Sequence, residues 1–438
     1  MDQTVKLTNT VLHYLNENVN YALLRNYEGL PFNNYSRDVD IVIEKKEFYS
    51  HQKAILNIII ESGWKIVNYL NNGRLITFVC GIIFDNKVEL LQWDFFLHTS
   101  FHGITLIEAK EMLAEREFNG NLYHVSKTYE FLDKYVYNRA VGEQYPLKYQ
   151  YIRDEYGKSE KAKIKLKKIF GHEDIEIIDG MSKNKLLKIL LLSNLKTQFF
   201  RTIWRIINSR WLYISSFLSS SVAVRVGFTG PDGAGKTTVI ELLQKEISTV
   251  FGKATEYSHF RPHIIPNLGE VAHSSGINKE VDREYDKPHR SSKKGAINSF
   301  VRLCYYTLDY IIGFWVKVKP HCRLTKFVLF DRYYTDIISD SRRSNIHLNT
   351  NFLYYWGKLF IPKMNYNILL TADRSIILAR KQELDKKGID DINSKLKYLS
   401  AKKGYYLIEN NGTADGAVKR ILTIIINNQH KKNLKRIG

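Results

Sequence analysis

Short apolar runs alternate along this chain with stretches in which apolar residues recur every three or four positions. In the C-terminal half the runs are Val222-Ala-Val-Arg-Val-Gly-Phe-Thr229, 255–260, 326–330, 366–371 and Gly404-Tyr-Tyr-Leu-Ile-Glu409, the last closed by an Asn411-Gly412 turn. Their length and their β-branched and aromatic content predict buried strands. Between them, segments such as Val239-Ile-Glu-Leu-Leu-Gln-Lys-Glu-Ile247 have helical spacing. Strands separated by helices predict an α/β domain with a parallel sheet and helices on both faces. Ligands on such sheets sit at the carboxyl ends of the strands. Residues 1 to about 125 also mix strand and helix patterns and predict an α+β domain. Residues 126–220 read as a helical, basic linker region. The second α/β domain is expected over 221–428, and 429–438 as a loose basic tail.

Within the middle segment, Leu192, Leu195, Phe199, Ile203 and Ile206 share one helical face, and Arg201 and Arg205 lie on another. Two readings follow. One is a linker helix packed on a neighbouring domain with a solvated basic face; the other is an amphipathic helix resting on an anionic membrane surface.

A chain of 438 residues implies two or three domains. Eight prolines and no biased tract argue against disorder. Cys80, Cys304 and Cys322 are scattered, without metal-ligand spacing, which suits a reducing compartment. There is no signal-peptide pattern and no apolar run of spanning length, so a cytoplasmic location is expected, peripheral to a membrane if 181–210 binds one. The formal charge of +20 admits nucleic acid, an anionic membrane surface or phosphorylated small molecules as partners. Part of the excess is local: 181–210 carries seven basic residues and no acidic one. With the charge concentrated there and in the tail, and no nucleic-acid module visible, nucleic acid is disfavoured. A homodimer is kept open.

The segment Gly230-Pro-Asp-Gly-Ala-Gly-Lys-Thr-Thr238 follows a predicted strand and opens a predicted helix. This is the phosphate-loop pattern, and each residue type has a mechanical reason. Gly230, Gly233 and Gly235 let backbone N–H groups converge on phosphate oxygens. The helix N-terminus adds partial positive charge at Lys236, Thr237 and Thr238. Lys236 can reach the β- and γ-phosphates of ATP, and Thr237 can ligate Mg²⁺. Downstream, Phe327-Val-Leu-Phe330 ends in Asp331-Arg332-Tyr333, where a carboxylate can hold Mg²⁺ through water and a guanidinium can face a phosphate. Arg261-Pro262 ends the second predicted strand at the same edge. Arg380-Lys381 and Lys386-Lys387 form a basic segment able to close as a lid. A regulatory GTPase would carry an Asn-Lys-x-Asp reader on a later strand; Asn278-Lys-Glu-Val281 lacks the aspartate.

These motifs resemble the thymidylate kinase family of nucleoside monophosphate kinases. The resemblance covers 221–428 and implies the P-loop NTPase fold. It also implies that Asp232 lies beside the acceptor, that Arg261 and Arg332, with the adjoining Tyr333, bind the acceptor, and that Arg380 neutralises transferring charge. ATP and Mg²⁺ are the implied cofactors and a small phosphate acceptor the implied partner. After Tyr333 the chain departs from the family. Tyr334-Thr-Asp-Ile-Ile-Ser-Asp-Ser-Arg342-Arg343 replaces the segment that lines a thymine pocket. The acceptor class therefore stays open between a mononucleotide and a phosphosugar or glycan. Asp286-Lys-Pro-His-Arg290 and the helix pattern Tyr305–Trp315 fit a divergent branch of thymidylate kinase-like proteins.

In the first domain, Ser36-Arg-Asp38-Val-Asp40 aims two carboxylates at one face of a strand. Val88-Glu-Leu-Leu-Gln-Trp-Asp94 offers a third, and three such acids make a hard oxygen site for Mg²⁺. With Leu23-Leu-Arg-Asn-Tyr27 upstream, this order resembles the nucleotidyltransferase fold, which implies nucleotidyl transfer at Asp38, Asp40 and Asp94. The glycine that normally precedes the acids is replaced by Tyr35, which leaves a catalytic and a relic reading open. His98 and His102 read as loop histidines.

Overall fold

A computed structural model describes residues 2–34, 37–85, 87–218, 223–251, 255–259, 264–265, 295–324, 327–381 and 385–437. They form two compact units. One is Met1–Ser219 with Ile426–Gly438, and the other is Ser220–Ile425.

The first unit is built on a seven-stranded mixed sheet ordered β3-β4-β5-β2-β1-β9-β8. Its strands are β1 (Tyr21–Arg25), β2 (Asp38–Ile43), β3 (Lys65–Asn71), β4 (Leu75–Phe84), β5 (Lys87–Phe96), β8 (Arg116–Phe118) and β9 (Tyr123–Val125). β6 (His98–Phe101) and β7 (Ile104–Glu108) form a separate hairpin. Strand alternation divides the side chains between two cores. Leu23, Ile41, Ile43 and Phe95 face the helices Gln3–Asn18 and Lys45–Glu61. Ala22, Leu24, Val42 and Phe96 face a second core built from the helix Lys127–Val141 and those after it.

That second core corrects the expected domain plan. Phe131, Tyr135, Ile152, Leu166, Phe170 and Leu190 are fully buried with the sheet residues, so 126–218 is part of the first unit and not a linker standing apart from it. The tail is not loose either. Residues 414–437 are one helix. Within its last part Asn433 is buried and donates to the carbonyls of Ile66 and Val67, and His430 Nδ1 accepts from Ile66 N–H.

The helix Lys183–Leu218 also departs from expectation. Gln198 has non-helical angles (φ −146°, ψ 57°). Leu186 and Leu190 are buried before the break, while Leu192, also before it, and Phe199 and Ile203 after it are exposed, so the expected apolar stripe is not a buried face.

The second unit holds a five-stranded sheet in which all neighbouring pairs are parallel. Its strands are β10 (Val224–Thr229), β11 (Thr255–His259), β12 (Phe327–Asp331), β13 (Tyr366–Thr371) and β14 (Tyr405–Glu409). The order β11-β12-β10-β13-β14 puts β10 at the centre. These strands fall where the apolar runs predict them. The loop leaving β10 therefore emerges mid-sheet, where connections diverge to either side and leave a crevice for a ligand. Tyr305–Gly313 lies inside the helix Ala296–Gly313. Arg261, the Asn278 segment and 286–290 lie outside the described residues.

Candidate active site

The loop Gly230–Gly235 joins β10 to the helix Lys236–Phe251. Its shape needs glycine at two positions for different reasons. A Cβ on Gly230 would lie 2.1 Å from the carbonyl oxygen of Leu370 on β13, so the loop passes too close to that strand for any side chain. Gly235 has φ +86°, and a Cβ there would meet the Asn410 amide at 2.6 Å. Asn410 is the residue that ties this end together. Its Nδ2 donates to Ala234 O (2.9 Å), and its own N–H donates to Thr371 O at the end of β13 (2.7 Å). Only a turn after β14 was legible in the sequence, because the contact to Ala234 spans 176 positions.

Lys236 is buried and folded back onto the loop, donating to Gly230 O (2.8 Å) and Pro231 O (2.9 Å). Burial, and then the charge of Arg332, push its ammonium down to about 8. Thr237 and Thr238 open the helix with exposed side chains.

The parallel register sets Asp331 beside Phe228, and Arg332 N–H donates to Phe228 O (2.9 Å). Arg332 has φ +65°, which turns its side chain back across the loop. Its guanidinium contacts Asp336 Oδ2 (3.3 Å) and hydrogen bonds to Asp232. Arg343 reaches the other oxygen of Asp232. The short helix Ser341–Ser344 aims it there, capped by Asp340, whose carboxylate accepts from Arg343 N–H at 3.1 Å. Asp232 is thus a buried carboxylate between two guanidinium groups, with Lys236 Nζ 3.9 Å away. Burial raises its pKa, and Arg332, Lys236 and Arg343 together outweigh that and hold it at about 2.

The site residues expected from sequence separate accordingly. Gly230, Asp232, Gly233, Gly235, Lys236, Asp331 and Arg332 come together at the carboxyl ends of β10 and β12. Arg380 is exposed, with Nη1 3.7 Å from where a Gly235 Cβ would stand, and the helix Arg374–Arg380 lies against Gly233. Tyr333 does not face this site. Its ring packs on Tyr310 (4.9 Å) and Phe330, and its hydroxyl donates to Pro362 O (2.8 Å), so it is a core residue and not an acceptor contact. Asp336 and the pairing of Arg343 with Asp232 were not legible, since nothing local in the sequence marks them.

For Mg²⁺, Thr237 supplies an exposed hydroxyl and Asp331 a carboxylate at the neighbouring strand end. These are hard oxygen donors of the type the ion takes, so the residues present fit it.

The first unit gives the opposite result. Arg25 on β1 pairs in register with Asp40, Asp40 with Asp94, and Asp94 with Thr77, a row across four strands. The shared face expected for the acids is therefore present for Asp40 and Asp94. Their chemistry is already committed, however. Arg25 Nε donates to Asp40 at 2.6 Å, and Arg25 Nη1 lies 3.3 Å from Asp133 on the helix Lys127–Val141. Thr77 and Gln92 donate to Asp94, and Thr99 donates to Asp133. Asp38 stands opposite Gln92 in the strand register, and Asp94 opposite Asp40. No group of three metal-ligating side chains meets among the described residues. Arg25 neutralises Asp40 and Asp133, and Asp94 is taken up by Thr77 and Gln92, so these residues as arranged do not fit Mg²⁺. His98 begins β6 and His102 sits in the hairpin turn; burial and Arg205 push His98 down to about 4.

No protein-family model matches the chain. It is 25% identical over 155 residues to a probable thymidylate kinase of Pyrobaculum aerophilum, a stretch of 35% of this chain and 68% of that protein. Among solved structures it is similar to thymidylate kinase from Ehrlichia chaffeensis (16% identity, TM-score 0.29, 49% of this chain and 98% of that one). It is also similar to deoxyadenosine kinase from M. mycoides (12% identity, TM-score 0.30, 47% of this chain and 100% of that one). In each case half of this chain or less is covered.

Proposed function

We propose that the second unit is an ATP- and Mg²⁺-dependent phosphotransferase. It passes the γ-phosphoryl group of ATP to a small phosphorylated acceptor of the mononucleotide or sugar/glycan type. The observation that carries this reading is Asp232, an ionised carboxylate built into the phosphate loop and gripped by Arg332 and Arg343. A loop that only held nucleotide phosphates would gain nothing from a buried negative charge beside them. A carboxylate with two guanidinium partners suits a second anionic substrate. Its phosphate competes for Arg332 and Arg343, and the carboxylate released from them is free to orient the acceptor. The similarity to the probable thymidylate kinase of Pyrobaculum aerophilum supports the same class.

In this reading backbone N–H groups of 233–238 and the ammonium of Lys236 hold the β- and γ-phosphates. Lys236 exchanges its two carbonyl acceptors for phosphate oxygens, which strengthens the charged form against burial and Arg332. Thr237 and Asp331 would hold Mg²⁺, whose chemistry is neutralisation of phosphate charge. An acceptor oxygen bonds to the γ-phosphorus as the bond to the ADP oxygen breaks. Arg332, Lys236 and Arg380 spread the charge of the transferring group. Labelled ATP offered with mononucleotides and sugar phosphates tests the reading. Transfer to one acceptor class is expected, falling about 100-fold or more in Lys236→Ala with unchanged far-UV circular dichroism. Transfer retained in that variant overturns it.

A further inference from the structure

The helix Lys183–Leu218 carries a stripe of large apolar side chains that the first unit leaves uncovered. Phe200, Trp204, Ile207, Trp211 and Ile214 are each about half exposed or more, Phe200 at 86%. Their spacing of four, three, four and three positions keeps them within roughly 80° of one another around the helix. Arg201 and Arg210 fall on either side of the stripe, and both are exposed.

The opposite face is fixed to the protein. Arg205, beyond the break at Gln198, forms an ion pair with Glu108, and before the break Asn194 exchanges two hydrogen bonds with the backbone of Thr105. The turn at Gly103 meets the helix backbone so closely that a Cβ would lie 2.6 Å from Arg205 O. The helix is therefore held rigidly, with its aromatic stripe directed away from the β6–β7 hairpin.

We propose that this stripe docks on the surface of an anionic lipid bilayer. Charge selects that occupant. No acidic residue occurs from Met181 to Pro231, while Lys183, Lys185, Lys188, Lys196 and Arg210 carry positive charge along the same segment, and Arg201 stays exposed although its Nη1 lies 3.4 Å from Glu108. A second copy of this helix would set arginine against arginine with no carboxylate to pair them. An anionic surface meets the same residues with opposite charge. The side-chain types agree: indole rings prefer the level of the headgroups, and arginines beside them keep their heads in the polar layer while their stems cover apolar surface. Among the described residues no helix is long and apolar enough to cross a membrane, so the helix lies on the surface and does not span it.

The test is sedimentation of the full chain with vesicles of 30% phosphatidylglycerol in phosphatidylcholine and with vesicles of phosphatidylcholine alone. Binding is expected to favour the anionic vesicles at least tenfold. Trp204→Ser with Trp211→Ser lowers binding about tenfold or more, and Arg201→Gln with Arg210→Gln removes most of the preference for anionic lipid. All four positions are exposed, and matched circular dichroism checks that the fold is kept. No binding to anionic vesicles, equal binding to both kinds, or binding untouched by either pair of substitutions overturns the proposal. So does a dimer in solution that the tryptophan pair abolishes while vesicle binding persists.

Discussion

Replacing Arg343 by alanine removes one of the two guanidinium groups that hold Asp232 ionised in a buried position. The remaining partners are Arg332, on the other carboxylate oxygen, and Lys236 at 3.9 Å. In the intact site Asp232 sits at about 2 against an ordinary value of 3.8. That difference corresponds to about 2 kcal/mol of folding stability. Because the folded value is depressed, this stability is fully present above the unfolded value near 4 and is lost as pH falls through about 2. Arg343 contributes one charge-assisted hydrogen bond to a buried acceptor, so Arg343→Ala should cost roughly 1.5–3 kcal/mol above pH 4. For a unit of this size that is a fall in Tm of roughly 4–10 °C. Hydrogen exchange of peptides from 224–251 and 327–344 isolates the second unit from the first. A double-mutant cycle with Asp232→Asn supplies the pairwise energy. Coupling of about 1.5 kcal/mol or more is expected above pH 4, with a weaker acid limb in Asp232→Asn. Effects that add to within about 0.5 kcal/mol would refute the two-guanidinium clamp.

Two further outcomes follow from the same structure. Arg25→Ala leaves Asp40 and Asp133 buried without their shared cation, so the first unit should lose about 3–5 kcal/mol in urea unfolding; terbium luminescence should rise in the variant and be absent in the wild-type first unit if Arg25 stands in a cation's place. Asn410→Ala removes the donor to Ala234 O, a loss of about 1 kcal/mol, and loosens the phosphate loop; the KM for ATP should rise severalfold, read from steady-state transfer assays, with the circular dichroism unchanged.

The strands of the second unit and the phosphate loop were legible because their signals are local. A buried parallel strand announces itself as a short apolar run, and Gly230–Thr238 carries its own stereochemistry. Asp38 and Asp40 were legible as a shared face, since strand alternation follows from pattern, whereas the register that sets Asp94 opposite Asp40 came only from the sheet. Local pattern also misled. The stripe Leu192 to Ile206 assumed an unbroken helix, but the backbone breaks at Gln198, and Leu192, Phe199 and Ile203 are exposed. Tyr333 followed a motif but not its surroundings, where Tyr310 and Pro362 draw it into the core.

By itself, then, the sequence determined which segments of the second unit are strands, where a phosphate can be cradled, and that the chain is strongly basic. Tertiary structure alone decided what each charge does. Asp232 meets Arg332 and Arg343 across 100 and 111 positions, and Arg25 meets Asp133 across 108. Whether a carboxylate ligates a metal, orients a substrate or neutralises an arginine depends on which group stands within about 3 Å of it. Burial makes that choice costly to reverse, and it is settled only when distant segments pack together.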